Sequence, residues 1–257
     1  MNAGTEPDNA GSPPGPVVVL TDRSIDPHII VYHEPRSLQA EQYRAFRTNV
    51  FAMDQGGQKS QKGQKRGSRA IAITSAMKGE GKSVTAVNIA ICIAEAPSKR
   101  VCLIDTDFRA PRVAELLGIE EGKGLSELLQ DQTDLRSVIA ETKVSNLSVI
   151  RAGREPRNPA ELLASDRIED LLDELKRDYT HIICDTPPVN PYTDAAVLGS
   201  RLDGVLLVVR IGRTLKDQAD RARGVLERAG CNLIGLFLTE AAPVDKRETE
   251  YYRRLEE

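Results

Sequence analysis

The sequence predicts an α/β fold, a mostly parallel sheet with helices on both faces, and two features carry that prediction. Six short runs rich in Val, Ile and Leu are apolar almost throughout, the pattern of strands covered on both sides: Ala70–Thr74, Val101–Ile104, Leu147–Ile150, His181–Cys184, Gly204–Val209 and Leu233–Leu238. Helical segments separate them, clearest at Ser83–Ala94, Ser165–Arg177, Thr193–Ser200 and Thr214–Ala229. Strands that alternate with helices join in parallel through crossover connections.

The first strand leads into the stretch around which the chain is organised. Ala70-Ile-Ala-Ile-Thr-Ser-Ala-Met-Lys-Gly-Glu-Gly-Lys-Ser-Val84 passes from strand to glycine-bearing turn to Gly81-Lys82-Ser83, and Thr85–Ala94 continues as an apolar helix. Strand, glycine loop, Gly-Lys-Ser and helix are the context a P-loop needs, so the fold is expected to be P-loop NTPase-like. A helix N-terminus offers unpaired N–H groups and a positive dipole end to a phosphate chain. Gly79 and Gly81 let the backbone wrap close with its N–H groups facing inward. Ala76, Met77, Lys78, Gly79, Glu80, Gly81, Lys82, Ser83 and Val84 are therefore expected to bind a nucleotide. Lys82 reaches the β- and γ-phosphates and the Ser83 hydroxyl binds Mg²⁺. Ala76 stands where the usual pattern has Gly.

Ahead of this core, residues 1–36 are rich in Pro, Gly and Asp and read as a disordered, mobile tail, with room for a docking strand in the apolar runs Val17–Leu20 and Ile29–Tyr32. Residues 37–53 change character. Leu38, Tyr43, Phe46, Val50 and Phe51 fall near helical spacing, and Ser37 suits the helix cap. Glu41, Arg44 and Arg47, three apart, line one side of that helix, which on its own terms reads as a solvated charged face. Residues 54–68 form a basic, low-complexity, flexible linker. The core is expected over 69–240, and a tail with Tyr251 and Tyr252 over 241–257.

Composition narrows the function. With 35 basic against 38 acidic residues, no general attraction to nucleic acid or to an anionic membrane is implied. The four cysteines, Cys92, Cys102, Cys184 and Cys231, form no C-x-x-C pair and mostly sit in apolar runs, as buried free thiols of a reducing compartment do. The polar start is not a signal peptide, and no apolar run reaches the roughly 18–20 residues of a membrane span. A cytoplasmic, soluble protein is expected, touching a membrane only through a partner. His28, His33 and His181 show no metal spacing, and no Ser/His/Asp nucleophile set is suggested.

Carboxylates stand where two apolar strands run out. Val101-Cys-Leu-Ile-Asp-Thr-Asp-Phe-Arg-Ala-Pro111 carries Asp105 and Asp107, and Tyr179-Thr-His-Ile-Ile-Cys-Asp-Thr-Pro-Pro188 carries Asp185. Any single Asp at such a place is commonly a cap or turn former. Three beside a P-loop suit a magnesium site, because ligands of open α/β sheets lie outside the carboxyl ends of the strands. Two apart in extended chain, Asp105 and Asp107 face the same side. Asp107 and Asp185 with Ser83 are assigned to the metal, and Asp105 to accepting the proton of an incoming hydroxyl, a division between Asp105 and Asp107 that also works reversed. Arg109 suits either a phosphate or a neighbouring acid.

Taken together these motifs resemble the bacterial tyrosine kinase (BY-kinase) family, the cytoplasmic autokinases of capsule and exopolysaccharide export, from about Ser37 to Glu240. Ala76–Ser83 is similar to that family's Walker A, Leu103–Pro111 to its Walker A′ and Ile182–Pro188 to its Walker B. Glu41-Gln-Tyr-Arg-Ala-Phe-Arg-Thr-Asn49 resembles the E-x-x-R-x-x-R helix used in ring-like self-association, and Gly153–Leu163 is a further similar stretch. The resemblance implies ATP and Mg²⁺ as cofactors and phosphorylation of tyrosines in the tail of a neighbouring subunit, here Tyr251 and Tyr252. It implies a homo-oligomer, with Glu41, Arg44 and Arg47 at the subunit contact. It also implies a membrane-spanning polysaccharide co-polymerase as activator, here a separate chain. Two positions depart from the family: the tail has one tyrosine pair in place of a dense cluster, and Thr239 and Glu240 stand where relatives tend to place an Asn that reads adenine.

Two rivals share the loop. A partition or positioning ATPase of the MinD/ParA class carries a signature lysine directly after the first loop position, where this chain has Met77, with Lys78 one place late. An ATP-binding regulatory subunit would report through assembly state rather than phosphorylation.

Overall fold

The computed structural model describes residues 25–56 and 68–241. Its seven strands are β1 (Arg69–Ser75), β2 (Val101–Asp105), β3 (Ile139–Glu141), β4 (Leu147–Ile150), β5 (His181–Asp185), β6 (Gly204–Arg210) and β7 (Leu233–Thr239). They form one sheet in the order β3-β4-β2-β5-β1-β6-β7. Every pairing is parallel except β3 with β4. The six expected strands are all present. The seventh, three-residue β3, is too short to leave a periodic signal, and it docks antiparallel on the sheet edge because β4 follows it directly.

Side chains leave the strands alternately toward two cores. Ala70, Ala72, Cys102, Ile104, Ile182, Cys184, Val205 and Leu207 pack on one face. Ile71, Ile73, Val101, Leu103, Ile183, Leu206 and Val208 pack on the other. Burial on both faces explains the continuous apolar runs. The longer helices are α2 (Leu38–Gly56), α3 (Lys82–Ala94), α8 (Asp166–Asp178) and α10 (Lys216–Arg228), and shorter ones are α1 (Ile30–His33), α4 (Val113–Leu116), α5 (Leu125–Leu129), α6 (Leu135–Val138), α7 (Pro159–Ala164) and α9 (Asp194–Gly199). As expected, Ser37 caps α2: its hydroxyl accepts from Ala40 N at 3.2 Å. Among the described residues no helix is long and apolar enough to cross a membrane. All four cysteines are buried and free, and burial raises each thiol above its ordinary pKa.

The N-terminal reading needs correction. Ile29–Tyr32 is no strand and residues 25–36 are no mobile tail: α1 is a helical turn, with Ile25, Ile29 and Val31 buried in the α3 face of the core. Asn88 of α3 holds it there. Its carbonyl oxygen accepts from Val31 N at 2.9 Å, and its amide donates to His28 O at 3.1 Å. An asparagine inside an otherwise apolar helix must find polar partners, and these are the ones. Residues 1–24 and 57–67, with Val17–Leu20 and most of the linker, lie outside the described residues, as do Tyr251 and Tyr252.

Candidate functional site: the loop between β1 and α3

The three central strands β2, β5 and β1 end side by side. Asp105 of β2 is in register with Asp185 of β5, and Asp185 with Ile73 of β1, so both acids arrive beside the loop that leaves β1. Gly79 and Gly81 take positive φ values of 82° and 91°, a region closed to most side chains, and Gly81 caps α3. Ala76, at the position that usually holds Gly, is fully buried and its carbonyl accepts from Asn190 N at 3.3 Å. Met77 packs against the core while Lys78 is exposed.

Glu80 latches the loop. It is 1% exposed, and its carboxylate accepts from Met77 N at 2.9 Å and from the Thr214 hydroxyl at 2.5 Å. The Thr239 hydroxyl donates to Glu80 O at 2.9 Å, and Arg210 Nη1 and Arg213 Nη1 donate to Gly79 O at 3.2 and 3.4 Å. Thr214, Arg210 and Arg213 were not singled out from the sequence. Arg210 ends β6, and Arg213 and Thr214 follow it, where the carboxyl end of the strand lies beside the loop.

Lys82 lies among the acids. Its ammonium is 2.7 Å from Asp107 Oδ2 and 3.8 Å from Asp185 Oδ1, and donates to Ser83 Oγ at 3.1 Å. Burial works against the charge of Lys82, and the carboxylates of Asp185 and Asp107 more than restore it, leaving its pKa raised. Neither buried oxygen of Asp185 has a hydrogen-bond partner. Burial pushes Asp185 up to about 6 against the pull of Lys82, and pushes Asp105 up to about 7 with help from the Asp185 charge.

Asp105 and Asp107 do not share an extended strand, as their spacing suggested. β2 stops at Asp105, and Asp107 sits in a turn where its Oδ1 accepts from Ala110 N at 3.1 Å. Asp105 fixes that turn, accepting from Asp107 N at 3.1 Å and from Arg112 N and Val113 N at 3.0 Å each. A cavity of about 990 Å³ reaches Asp105 and is also lined by Arg151, Gly153 and Arg154. Arg109 has found an acid: Nη2 is 3.5 Å from Asp194 Oδ2, and its guanidinium lies 4.3 Å from the centre of the Tyr192 ring.

Among the described residues no group of three or more His, Cys, Asp or Glu converges into a protein-only metal cage. The hard oxygens of Ser83, Asp107 and Asp185 nevertheless suit Mg²⁺, which keeps several waters and is commonly held by one or two carboxylates plus phosphate. The two buried oxygens of Asp185, which accept no hydrogen bond, are what such a cation would satisfy.

Glu41, Arg44 and Arg47 lie away from this centre, on contacts within the chain. Arg44 pairs with Glu41 at 2.6 Å and with Glu95 at 3.4 Å, and Arg47 Nη1 donates to Cys92 O at 2.9 Å.

A loop of this kind between strand and helix, on a parallel sheet with acids at neighbouring strand ends, defines the P-loop NTPase class. Consistent with it, residues 68–213 match the family described as "AAA domain". Within that class the chain belongs to the bacterial tyrosine kinase family. It is 36% identical over 226 residues to the tyrosine-protein kinase YwqD of Bacillus subtilis (strain 168), covering 88% of this chain and 91% of the relative. The putative tyrosine-protein kinase CapB of Staphylococcus aureus is 33% identical over 224 residues, covering 87% and 93%. The kinase domain of the Escherichia coli tyrosine kinase ETK superposes with a TM-score of 0.75 at 30% identity, covering 85% of this chain and 82% of that one. The septum site-determining protein MinD of Pyrococcus horikoshii, solved with Mg-ADP, superposes less well, at a TM-score of 0.59 and 18% identity over 72% of this chain and 77% of that one, a likeness of fold alone.

Proposed function

We propose that this chain is an ATP- and Mg²⁺-dependent protein-tyrosine autokinase that regulates capsule or exopolysaccharide synthesis and export with a membrane co-polymerase. The observation that carries the reading is Lys82 between Asp107 and Asp185 at the foot of a left-handed glycine loop. In this reading residues 76–84 cradle the phosphates with main-chain N–H groups, and Lys82 leaves its carboxylate partners to meet the β- and γ-phosphates. Ser83, Asp107 and Asp185 hold the magnesium directly or through water. An ion held by these residues would supply positive charge to the transferring phosphoryl group. Arg210, Arg213, Thr214 and Thr239 keep the loop closed.

Asp105 is our proton acceptor for the tyrosine hydroxyl. Its raised pKa suits proton transfer near neutral pH, and it lines the cavity of about 990 Å³. A phenol, with a pKa of about 10, needs less activation than an alcohol. The acceptors are Tyr251 and Tyr252 of a neighbouring copy, which Glu41, Arg44 and Arg47 bring together in a ring. The chain works at the cytoplasmic face of the membrane, held there by the separate co-polymerase.

One assay tests the whole reading. Full-length protein is incubated with Mg²⁺-ATP and the cytoplasmic segment of the co-polymerase, then probed for phosphotyrosine. Signal that disappears in Lys82→Met and in the Tyr251→Phe/Tyr252→Phe double variant is the expected result. Phosphate release without phosphotyrosine would overturn it in favour of an ATPase.

A further inference from the structure

The cavity of about 990 Å³ that Asp105 borders runs on into a second one, of about 600 Å³, because Glu127, Gln132 and Arg154 line both. The basic side chains along this groove are Lys123, Arg151, Arg154, Arg157 and Arg167. Among the described residues only Arg167 has a carboxylate partner, Asp131, while Arg154 and Arg157 are exposed and have none. Arg151 donates from Nη1 to Glu120 O at 2.9 Å, yet its buried Nε has no partner. A buried donor left open calls for an acceptor.

The acids on the same walls are mostly engaged. Glu115 pairs with Arg112 at 2.7 Å, and Glu161 accepts from the Asn158 amide at 2.8 Å. Glu127 accepts from Gly124 N and Arg154 N at 2.8 and 3.1 Å. Apart from Asp105, that leaves Glu121 and Glu155, both exposed. The groove therefore offers unpaired cations next to the acid assigned to the tyrosine proton.

The tail carries the complement. Glu248-Thr-Glu-Tyr-Tyr252 sets two carboxylates just ahead of the tyrosines, and residues two apart in extended chain face the same side. A guanidinium, planar and with its donors in a fork, matches a carboxylate.

We propose that the tyrosines this chain phosphorylates are those preceded by carboxylates, that Arg154 and Arg157 read these acids along the groove, and that Glu248 and Glu250 mark the tail of a second copy as such a substrate. The inference rests on the reading of the chain as a tyrosine kinase with Asp105 as proton acceptor.

Peptide kinetics test it. Full-length protein with Mg²⁺-ATP and the co-polymerase segment is given synthetic peptides of residues 246–257, one unaltered and one carrying Glu248→Gln/Glu250→Gln, and phosphate on the peptide is measured. The altered peptide is expected to show a kcat/KM about tenfold lower, from two solvent-exposed charge pairs of about threefold each, with most of the loss in KM. About 0.3 M salt should remove most of the difference. Arg154→Glu/Arg157→Glu, two exposed positions, should invert the preference and favour a Glu248→Lys/Glu250→Lys peptide over the unaltered one, which a merely structural role for the arginines would not do. Equal kcat/KM for the first two peptides overturns the proposal and leaves the kinase reading standing. So does an arginine variant that still prefers the unaltered peptide, or a protein that labels its own tyrosines and no peptide. Phosphotyrosine on neither peptide nor protein overturns the kinase reading as well.

Discussion

Lys82 and Asp107 form a buried ion pair, 2.7 Å between Nζ and Oδ2, with side-chain exposures of 11% and 2%. Removing one partner of such a pair leaves the other charge without compensation, at a cost of about 3–5 kcal/mol. Lys82→Met is therefore expected to abolish phosphotransfer and also to lower the melting temperature of the nucleotide-free protein. Adding Asp107→Asn to Lys82→Met should recover much of the stability and none of the activity. Thermal unfolding and a phosphotyrosine assay on the two variants check this. Equal melting temperatures for Lys82→Met and the unaltered protein would show that the pair contributes nothing.

The acids give the metal-free protein a pH dependence of definite sign. Asp105 and Asp185 are pushed up to about 7 and about 6, above their ordinary value of 3.8. Between about pH 4 and pH 7 the folded chain then keeps protons that the unfolded chain has lost, so stability falls as pH rises, by up to about 1.4 kcal/mol per pH unit for each group. Denaturant unfolding in chelator at pH 5 and pH 7.5 measures the fall. Asp185→Asn should flatten it and raise stability at pH 7.5, while magnesium and nucleotide, which use the ionised acids, should restore the unaltered protein there. A slope identical in Asp185→Asn would disprove the assignment.

What the sequence made legible follows from how each feature is encoded. β1, β2, β5 and β6 were visible because burial on both faces demands unbroken apolar runs, and Lys82, Asp105 and Asp185 because each ends or begins such a run. The Glu80 latch was not visible. Its partner Thr214 is 134 residues away and carries no local pattern. Residues 25–33 run against the local pattern for the opposite reason: their Pro- and Gly-rich surroundings suggest a tail, and long-range contacts order them, with α3, with α2 and through Asp26 N, which donates to Leu116 O at 2.9 Å. The signal that did exist was Asn88, a polar residue in an apolar helix.

The latch predicts a loop variant. Glu80→Gln keeps the size of the side chain, but one of its two hydrogen-bonding groups becomes a donor and faces either Met77 N–H or the Thr214 hydroxyl. An unsatisfied buried group costs about 1–3 kcal/mol. Glu80→Gln and Thr214→Val are each expected to raise the KM for nucleotide several-fold with a smaller change in kcat, because they loosen the cradle without removing a group that touches the reacting phosphoryl. A change confined to kcat would contradict the latch.

The α2 contacts yield a test of self-association. Arg44 and Arg47 both reach Glu95, just past the end of α3, and Arg47 also caps the carbonyl of Cys92, a favourable place for cations. These partly exposed contacts are each worth about 0.5–1.5 kcal/mol. Arg44→Ala/Arg47→Ala should therefore cost modest stability through loss of the α2–α3 contact. If the same side chains join copies, it should also reduce the mass in solution, measured by light scattering at fixed concentration. Glu95→Gln separates the two effects: it weakens the contact within the chain yet leaves Glu41, Arg44 and Arg47 in place, so the oligomer is expected to persist. Unchanged mass in both variants would confine this network to holding α2 on α3 and place the subunit contact elsewhere.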